Sequence, residues 1–206
     1  QHAGGDGGEA RAATVGSANI SRAKYSTDYP CSFMFVASMN PCPCGYYGDP
    51  THRCVCTPGQ IQRYMNKISG PLLDRIDIQC EISPVPFQDI SKAAPGEPSA
   101  KIRERVIKAR EVQAERFKDY KGIHCNAQMT ERMIHQFAEP DEQGIELLRM
   151  AMEKLSLSAR AYNRILKVAR TIADLAGSEQ IKPDHIAEAV GYRTLDRGDW
   201  AERGHL

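Results

Sequence analysis

The sequence predicts two architectures in series, an α/β portion followed by an all-α helical bundle. Three observations carry this. A short apolar run at 33–37 is bracketed by Pro30 and Pro41. That is too tight for a helix and suits a strand buried on both faces. Ile76, Ile78, Cys80 and Ile82 alternate with Asp77, Gln79 and Glu81, the period of a strand with one buried face. From Lys101 onward apolar residues recur at spacings of three and four, the period of helices packed on one side.

The elements follow in order. Residues 1–19 hold five glycines and no apolar period, which predicts a flexible segment without a functional role. Residues 56–70 predict a short helix, with Pro58 near its start and Gly70 just past its end. Residues 84–99 carry four prolines and predict an extended linker. In 101–120, Ile102, Val106, Ala109, Phe117 and Tyr120 keep helical spacing, with Gln113 the one mismatch. Further helices are predicted at 130–137 and 141–155. Over 158–177, Ala161, Ile165, Val168, Ile172 and Leu175 form a stripe, Ser158 is the expected N-cap and Gly177 the expected C-cap. A last helix, 183–192, places Pro183 at N1 but has Lys182, a poor cap, before it. There is no internal repeat. The expected organisation is a flexible segment 1–19, the α/β part 20–83, the linker 84–99, the helical domain 100–197 and a tail 198–206.

Composition narrows the class. The 206 residues are 41% hydrophobic and 26% charged, with a net charge of +1, so a core can form and no global field favours nucleic acid or membrane. No apolar run approaches the roughly 18 residues of a membrane span, and no signal-peptide pattern stands near Gln1. A soluble, cytoplasmic protein is expected. Seven cysteines, an odd number, argue against a complete disulfide framework.

Four of those cysteines cluster as Cys42-x-Cys44 and Cys54-x-Cys56 within "NPCPCGYYGDPTHRCVC". Four thiolates complete a tetrahedral structural zinc site, and Gly45, Gly48 and Pro50 between the pairs favour turns that fold one pair onto the other. His52 could replace one thiolate. The alternatives are free thiols in a loop, or disulfides, which a reducing compartment disfavours. Cys31, Cys80 and Cys125 read as ordinary cysteines.

Three polar positions stand at element ends. Asn40 closes the 33–37 run, where side chains beyond a strand's carboxyl end line ligand crevices; alternatively it makes a turn before Pro41. Arg75 precedes a predicted strand and can fork onto phosphate, or pair with Asp74 or Asp77. Arg160 sits in the first turn of the Ser158-capped helix, where anions are attracted. Arg160, Arg164 and Lys167 share a face that could flank a phosphate or be simply solvated.

In this order, the motifs "ISRA" (20–23), "FMFVASMNPCPCGYYGD" (33–49), "CTPGQIQRYMNKISGPLLDRIDI" (56–78) and "SARAYNRILKVARTIADL" (158–175) resemble the C-terminal half of the AAA+ module of magnesium-chelatase-like proteins, specifically the competence-protein ComM family. The resemblance spans residues 20–197. It implies a partial αβα core followed by a helical lid, in an ATPase that uses ATP and Mg. It implies that Asn40 is the sensor-1 residue facing the γ-phosphate, Arg75 an arginine finger acting on a neighbouring subunit's ATP, and Arg160 the sensor-2 arginine of the lid. Such groups stabilise charge on a transferring phosphoryl group.

The departures are equally specific. There is no G-x4-G-K-[ST] and no apolar run ending in Asp-Glu, so this stretch is expected to be a fragment that hydrolyses no ATP alone. True magnesium-chelatase subunits lack a Cys-rich insert after the sensor-1 Asn-Pro, which favours the competence branch. The resemblance therefore implies a hexameric DNA motor for branch migration. Eight basic against four acidic residues over 101–121 give that reading local support. The alternatives are an ATPase driving metal insertion or partner remodelling, and a non-catalytic zinc-stabilised interaction module.

Overall fold

The computed structural model describes residues 17–22, 25–30, 33–82, 85, 89, 96–155 and 157–193. They fall into two compact units, one ending at Ile76 and one beginning at Asp77.

In the first unit, strands β1 (Ser17–Arg22) and β2 (Tyr25–Pro30) pair antiparallel, with Ser17 opposite Pro30 and Arg22 opposite Tyr25. Residues 17–19, expected in a flexible segment, thus belong to a strand. The sequence there alternates no apolar residues, so only the backbone ladder reveals it. Residues 1–16 lie outside the described residues.

The run at 33–37 was expected to be a buried strand. It is extended but unpaired, and Met34 and Val36 are 87% and 80% exposed. A strand needs a neighbour to accept its ladder hydrogen bonds. Among the described residues the β1–β2 pair is the whole sheet, and no αβα layering is present. The apolar run therefore has nothing to be buried against.

Helix α1 (Pro58–Met65) begins as the sequence indicates. The Thr57 hydroxyl accepts from the Gln60 N–H, and the Gln60 side chain accepts from the Thr57 N–H at 2.8 Å, a reciprocal cap. It stops short of Gly70, which instead opens the single turn α2 (Gly70–Leu73). Ile61 and Leu72 are the buried apolar side chains of these two helices.

The second unit is helical: α3 (Ser99–Phe117), a 3-10 turn (Asn126–Gln128), α4 (Glu131–Phe137), α5 (Glu142–Lys154), α6 (Ala159–Leu175) and α7 (Pro183–Gly191). Thr130, Asp141 and Ser158 each accept a backbone N–H from the first turn of their helices. Lys182 offers no side-chain cap, but the His185 ring accepts its N–H at 3.1 Å. Gly177 ends α6 at φ +66°, as a C-terminal glycine should. A Cβ on Gly144 would stand 2.9 Å from the Pro140 Cβ, so only glycine lets α5 start so close to the preceding turn.

Residues 76–82 form no strand. The expected alternation is lost: Ile78, Cys80 and Ile82 are exposed along with Asp77 and Glu81, and only Gln79, at 5% exposed, is buried. The Gln79 N–H donates to the Tyr192 carbonyl at 2.8 Å, so a backbone anchor beside α7, not side-chain apolarity, fixes this segment.

The core gathers Phe117, Met133, Ile134, Leu148, Ile165 and Ile186, all nearly or wholly buried. Each such side chain contributes about 1.5–3 kcal/mol of burial. On α3 the predicted stripe is only half right. Ala109 and Phe117 are buried, but Ile102 and Val106 are exposed. Gln113, the apparent mismatch, is buried and accepts the Asn126 N–H at 3.0 Å.

That bond starts a polar network. Arg116 forks onto Asp174 at 2.8 and 2.5 Å and donates to the Asn126 side chain at 2.8 Å. The Asn126 amide donates to Asp174 and Thr171. Arg170 donates to Asp174 and to the carbonyls of Ser178 and Glu179. Burial raises the Asp174 pKa, but the Arg116 and Asn126 hydrogen bonds and the nearby Arg170 charge outweigh it, leaving the carboxyl below its ordinary value.

A candidate four-cysteine metal centre and the separate arginines

The loop after Asn40 is built by turns. The Gly45 N–H donates to the Cys42 carbonyl at 3.0 Å, and the Asp49 N–H to the Tyr46 carbonyl at 3.2 Å. Gly45 and Gly48 take φ of +85° and +81°, a region that favours glycine. Asp49 then locks the far end, accepting from the Thr51 N–H and hydroxyl, both at 2.6 Å, and from the His52 N–H at 3.1 Å. These bonds, the Thr51 hydroxyl first, hold the Asp49 carboxyl below its usual range.

The turns bring the two cysteine pairs together. Sγ of Cys42 lies 3.3 Å from Cys44 and 3.7 Å from Cys54, Cys44 and Cys54 are 3.5 Å apart, and Cys56 completes a group spanning no more than 4.8 Å. Four sulfurs at 2.3 Å from one zinc would be about 3.8 Å apart. The donor set and its spacing fit such an ion. Cys42 is fully buried and the other three half-buried, which suits a closed structural site.

The thiols are electrostatically unequal. The Tyr46 and Val55 N–H groups pull Cys44 down to about 6, whereas burial pushes Cys54 up to about 12 and also raises Cys56. A divalent cation would offset the effect of burial by stabilising every thiolate. His52 stays outside the ligand group. Its ring stacks on Tyr46 at 4.9 Å and lies 3.5 Å from Asp49. Cys80 and Cys125 are free thiols that are not members of this group, and Cys31 lies outside the described residues.

The other candidate residues are shared between the two units. Asn40 is exposed at the entrance to the cysteine loop, its amide 4.0 Å from where a Gly45 Cβ would sit. It closes an unpaired segment, not the buried strand expected from sequence. Arg75 follows α2, and its guanidinium donates back to the Pro71 carbonyl at 2.8 Å. Arg160 belongs to the other unit, exposed in the first turn of α6 with no hydrogen bond or ion pair among the described residues. Arg164 and Lys167, read as its companions on one basic face, are engaged: Arg164 pairs with Asp77, and Lys167 donates to the Ala127 carbonyl at 2.9 Å. Sequence reasoning missed both partners, because an ion pair spanning 77 to 164 leaves no local pattern.

Comparison with known proteins gives the family. The family described as "Magnesium chelatase, subunit ChlI" matches residues 14–90, and "Magnesium chelatase, subunit ChlI C-terminal" matches residues 96–193. The chain belongs to the magnesium-chelatase-like AAA+ ATPase family. It is 43% identical over 179 residues to the competence protein ComM of Haemophilus influenzae, covering 86% of this chain and 34% of that protein. It is 42% identical over 183 residues to the uncharacterized protein YifB of Escherichia coli, covering 88% and 35%. It is 36% identical over 165 residues to an uncharacterized protein of Mycobacterium tuberculosis, covering 80% and 32%. The chain thus spans about a third of the length of the curated relatives it matches. No helix among the described residues is long and apolar enough to cross a membrane.

Proposed function

We propose that this chain is part of an ATP-driven, ring-forming DNA motor that moves branched DNA during uptake and recombination, in the manner implied by the competence branch of the family. The observation that carries this reading is the 43% identity to a competence protein over 86% of the chain. The protein acts in the cytoplasm, as a hexamer, with ATP and Mg.

In this reading Asn40 faces the γ-phosphate and orients the attacking water. Arg75 reaches the ATP of an adjacent subunit, releasing its bond to the Pro71 carbonyl. Arg160, exposed at an N-terminal helix turn, contacts phosphate from the lid. Each lowers the barrier by meeting charge that develops on the phosphoryl oxygens. Cys42, Cys44, Cys54 and Cys56 hold a structural zinc, whose role is to fix the loop that begins at Asn40. The 206 residues contain no phosphate-cradling G-x4-G-K-[ST], so they hydrolyse no ATP alone.

The test is a subunit-mixing assay with the whole protein. Arg75→Ala subunits should poison neighbours with intact nucleotide sites, because the arginine acts in trans. Impairment confined to the variant's own site sinks the assignment. Asn40→Ala and Arg160→Ala should lower hydrolysis more than ATP binding. A whole protein that forms no rings with ATP and moves no branched DNA overturns the motor reading. The family descriptions favour one second reading, an ATPase that drives metal insertion. Porphyrin-stimulated hydrolysis without DNA stimulation would select it.

A further inference from the structure

Some cations of α3 and its C-terminal end are already matched. Arg105 pairs with Glu97 at 2.7 Å, Arg116 with buried Asp174, and Lys118 with Glu115 at 2.5 Å, the last an exposed pair on one helical turn that is worth little and exchanges readily. Arg103, Arg110 and Lys121 make no ion pair among the described residues and are exposed. Arg103 and Arg110 are seven residues apart, hence on one face and about 10 Å apart along the axis.

Arg110, Lys118, Lys121 and His124 line a groove of about 660 Å³ between the C-terminal half of α3 and the 118–124 loop, against one acid, Glu111. Its apolar lining is Ile107, Ala114, Phe117 and Ile123. Phe117 and Tyr120 make edge-to-face contacts with each other and with Phe137, so the Phe117 end of this lining is backed by the core.

We infer that this groove binds a single strand of nucleic acid, with phosphates on Arg110, Lys121 and the exchangeable Lys118, and with bases or sugars on the apolar floor around Ile107. The combination decides the class of ligand. A basic rim alone fits any polyanion, but a duplex would leave the apolar floor wet, and an acidic peptide has no flat apolar face to lay on it. An exposed strand supplies both a charged backbone and apolar faces. The inference deepens the motor reading and rests on it for biological meaning, but its binding step stands alone.

The experiment is fluorescence anisotropy of a labelled oligothymidylate titrated with the 206-residue chain at low salt. The double variant Arg110→Glu/Lys121→Glu should weaken binding at least about tenfold and lower the salt slope by about 1.4, at roughly 0.7 per single-strand phosphate contact. Lys101→Glu/Lys108→Glu makes the same change in net charge on the opposite side of α3 and should weaken binding less than about threefold. Ile107→Ser should weaken oligothymidylate binding while leaving the salt slope unchanged. Unaltered far-ultraviolet circular dichroism confirms that each variant folds. Equal losses in the two double variants, or no loss in either, overturn the groove. Polyglutamate displacing the oligonucleotide at equal charge overturns it in favour of an acidic protein partner, and tighter binding of duplex overturns the single-strand assignment. The motor reading fails separately: no rings and no branch movement by the whole protein, with the groove variants still losing oligonucleotide, would leave the groove standing.

Discussion

The two units are held by different physics. The first buries few apolar side chains, among them Ile61 and Leu72, and its most enclosed sulfur is Cys42. Its loop keeps shape through turns, Asp49 and four adjacent thiols. The second closes over a continuous apolar core and adds an internal network centred on Asp174. A short loop cannot bury enough surface to offset the entropy of ordering it, so on the zinc reading proposed above its order would depend on crosslinking by a metal. A bundle of helices can, and spends its polar groups on specifying how the helices fit. The two should therefore fail under different insults.

The largest expected effect is metal loss. Structural zinc in small domains contributes on the order of 10–16 kcal/mol of binding and folding energy. We expect one zinc per chain, lost in Cys42→Ser or with a strong chelator. Protease should then cut the 42–56 loop, while the helical circular dichroism of the second unit is unchanged. Elemental analysis finding no metal in the native chain, with all thiols freely titratable, breaks the comparison at its first term.

Next is the network. Asp174→Asn leaves Arg116 and Arg170 without their carboxylate partner. Breaking such a pair costs about 3–5 kcal/mol, read as a lower denaturation midpoint of the helical unit with zinc content unaffected. A cost below about 1 kcal/mol would mean solvent reaches the site.

Acid should separate the units along the pH axis. Asp174 has a carboxyl pKa lower when folded than when unfolded. Its contribution is complete above the unfolded value of about 3.9 and is lost as pH falls through the lower folded value. The helical unit should hold until about pH 4 and weaken below it. Zinc should leave the cysteines in milder acid, because protons compete for every thiolate. Simultaneous loss of zinc and helix would show that the units are energetically coupled.

The smallest effects sharpen the contrast. Ser158→Ala removes the cap of α6 and Thr57→Ala that of α1, each at about 1 kcal/mol. The first should lower the thermal midpoint of the helical unit, the second only the protease resistance of the segment following the cysteine loop.

Local signals were well read from the chain itself. The cap at Ser158, the proline starts at Pro58 and Pro183, and the C-terminal Gly177 all rest on bonds within a few residues, so the sequence carries them directly; the Thr130 and Asp141 caps are equally local but came to light only in the structure. The four-cysteine group was legible for the same reason: two pairs, with glycines between them able to take positive φ. The exclusion of His52 was not, since it depends on a stack against Tyr46.

What the tertiary structure decided is partnership. The apolar run at 33–37 has strand composition, but pairing is a property of two segments, and none of the described residues pairs with it. The alternation at 76–82 pointed to buried isoleucines, yet Ile78 and Ile82 are exposed and the Tyr192 carbonyl captures the Gln79 N–H instead. Gln113 looked like a flaw in a stripe until Asn126 was seen to need its acceptor. The sequence determined which residues could be caps, helices and thiol ligands, because those energies are local. Which polar groups became buried partners depended on residues far apart in sequence, as in Arg116 and Asp174, 58 positions apart, and such distances are closed only by the fold.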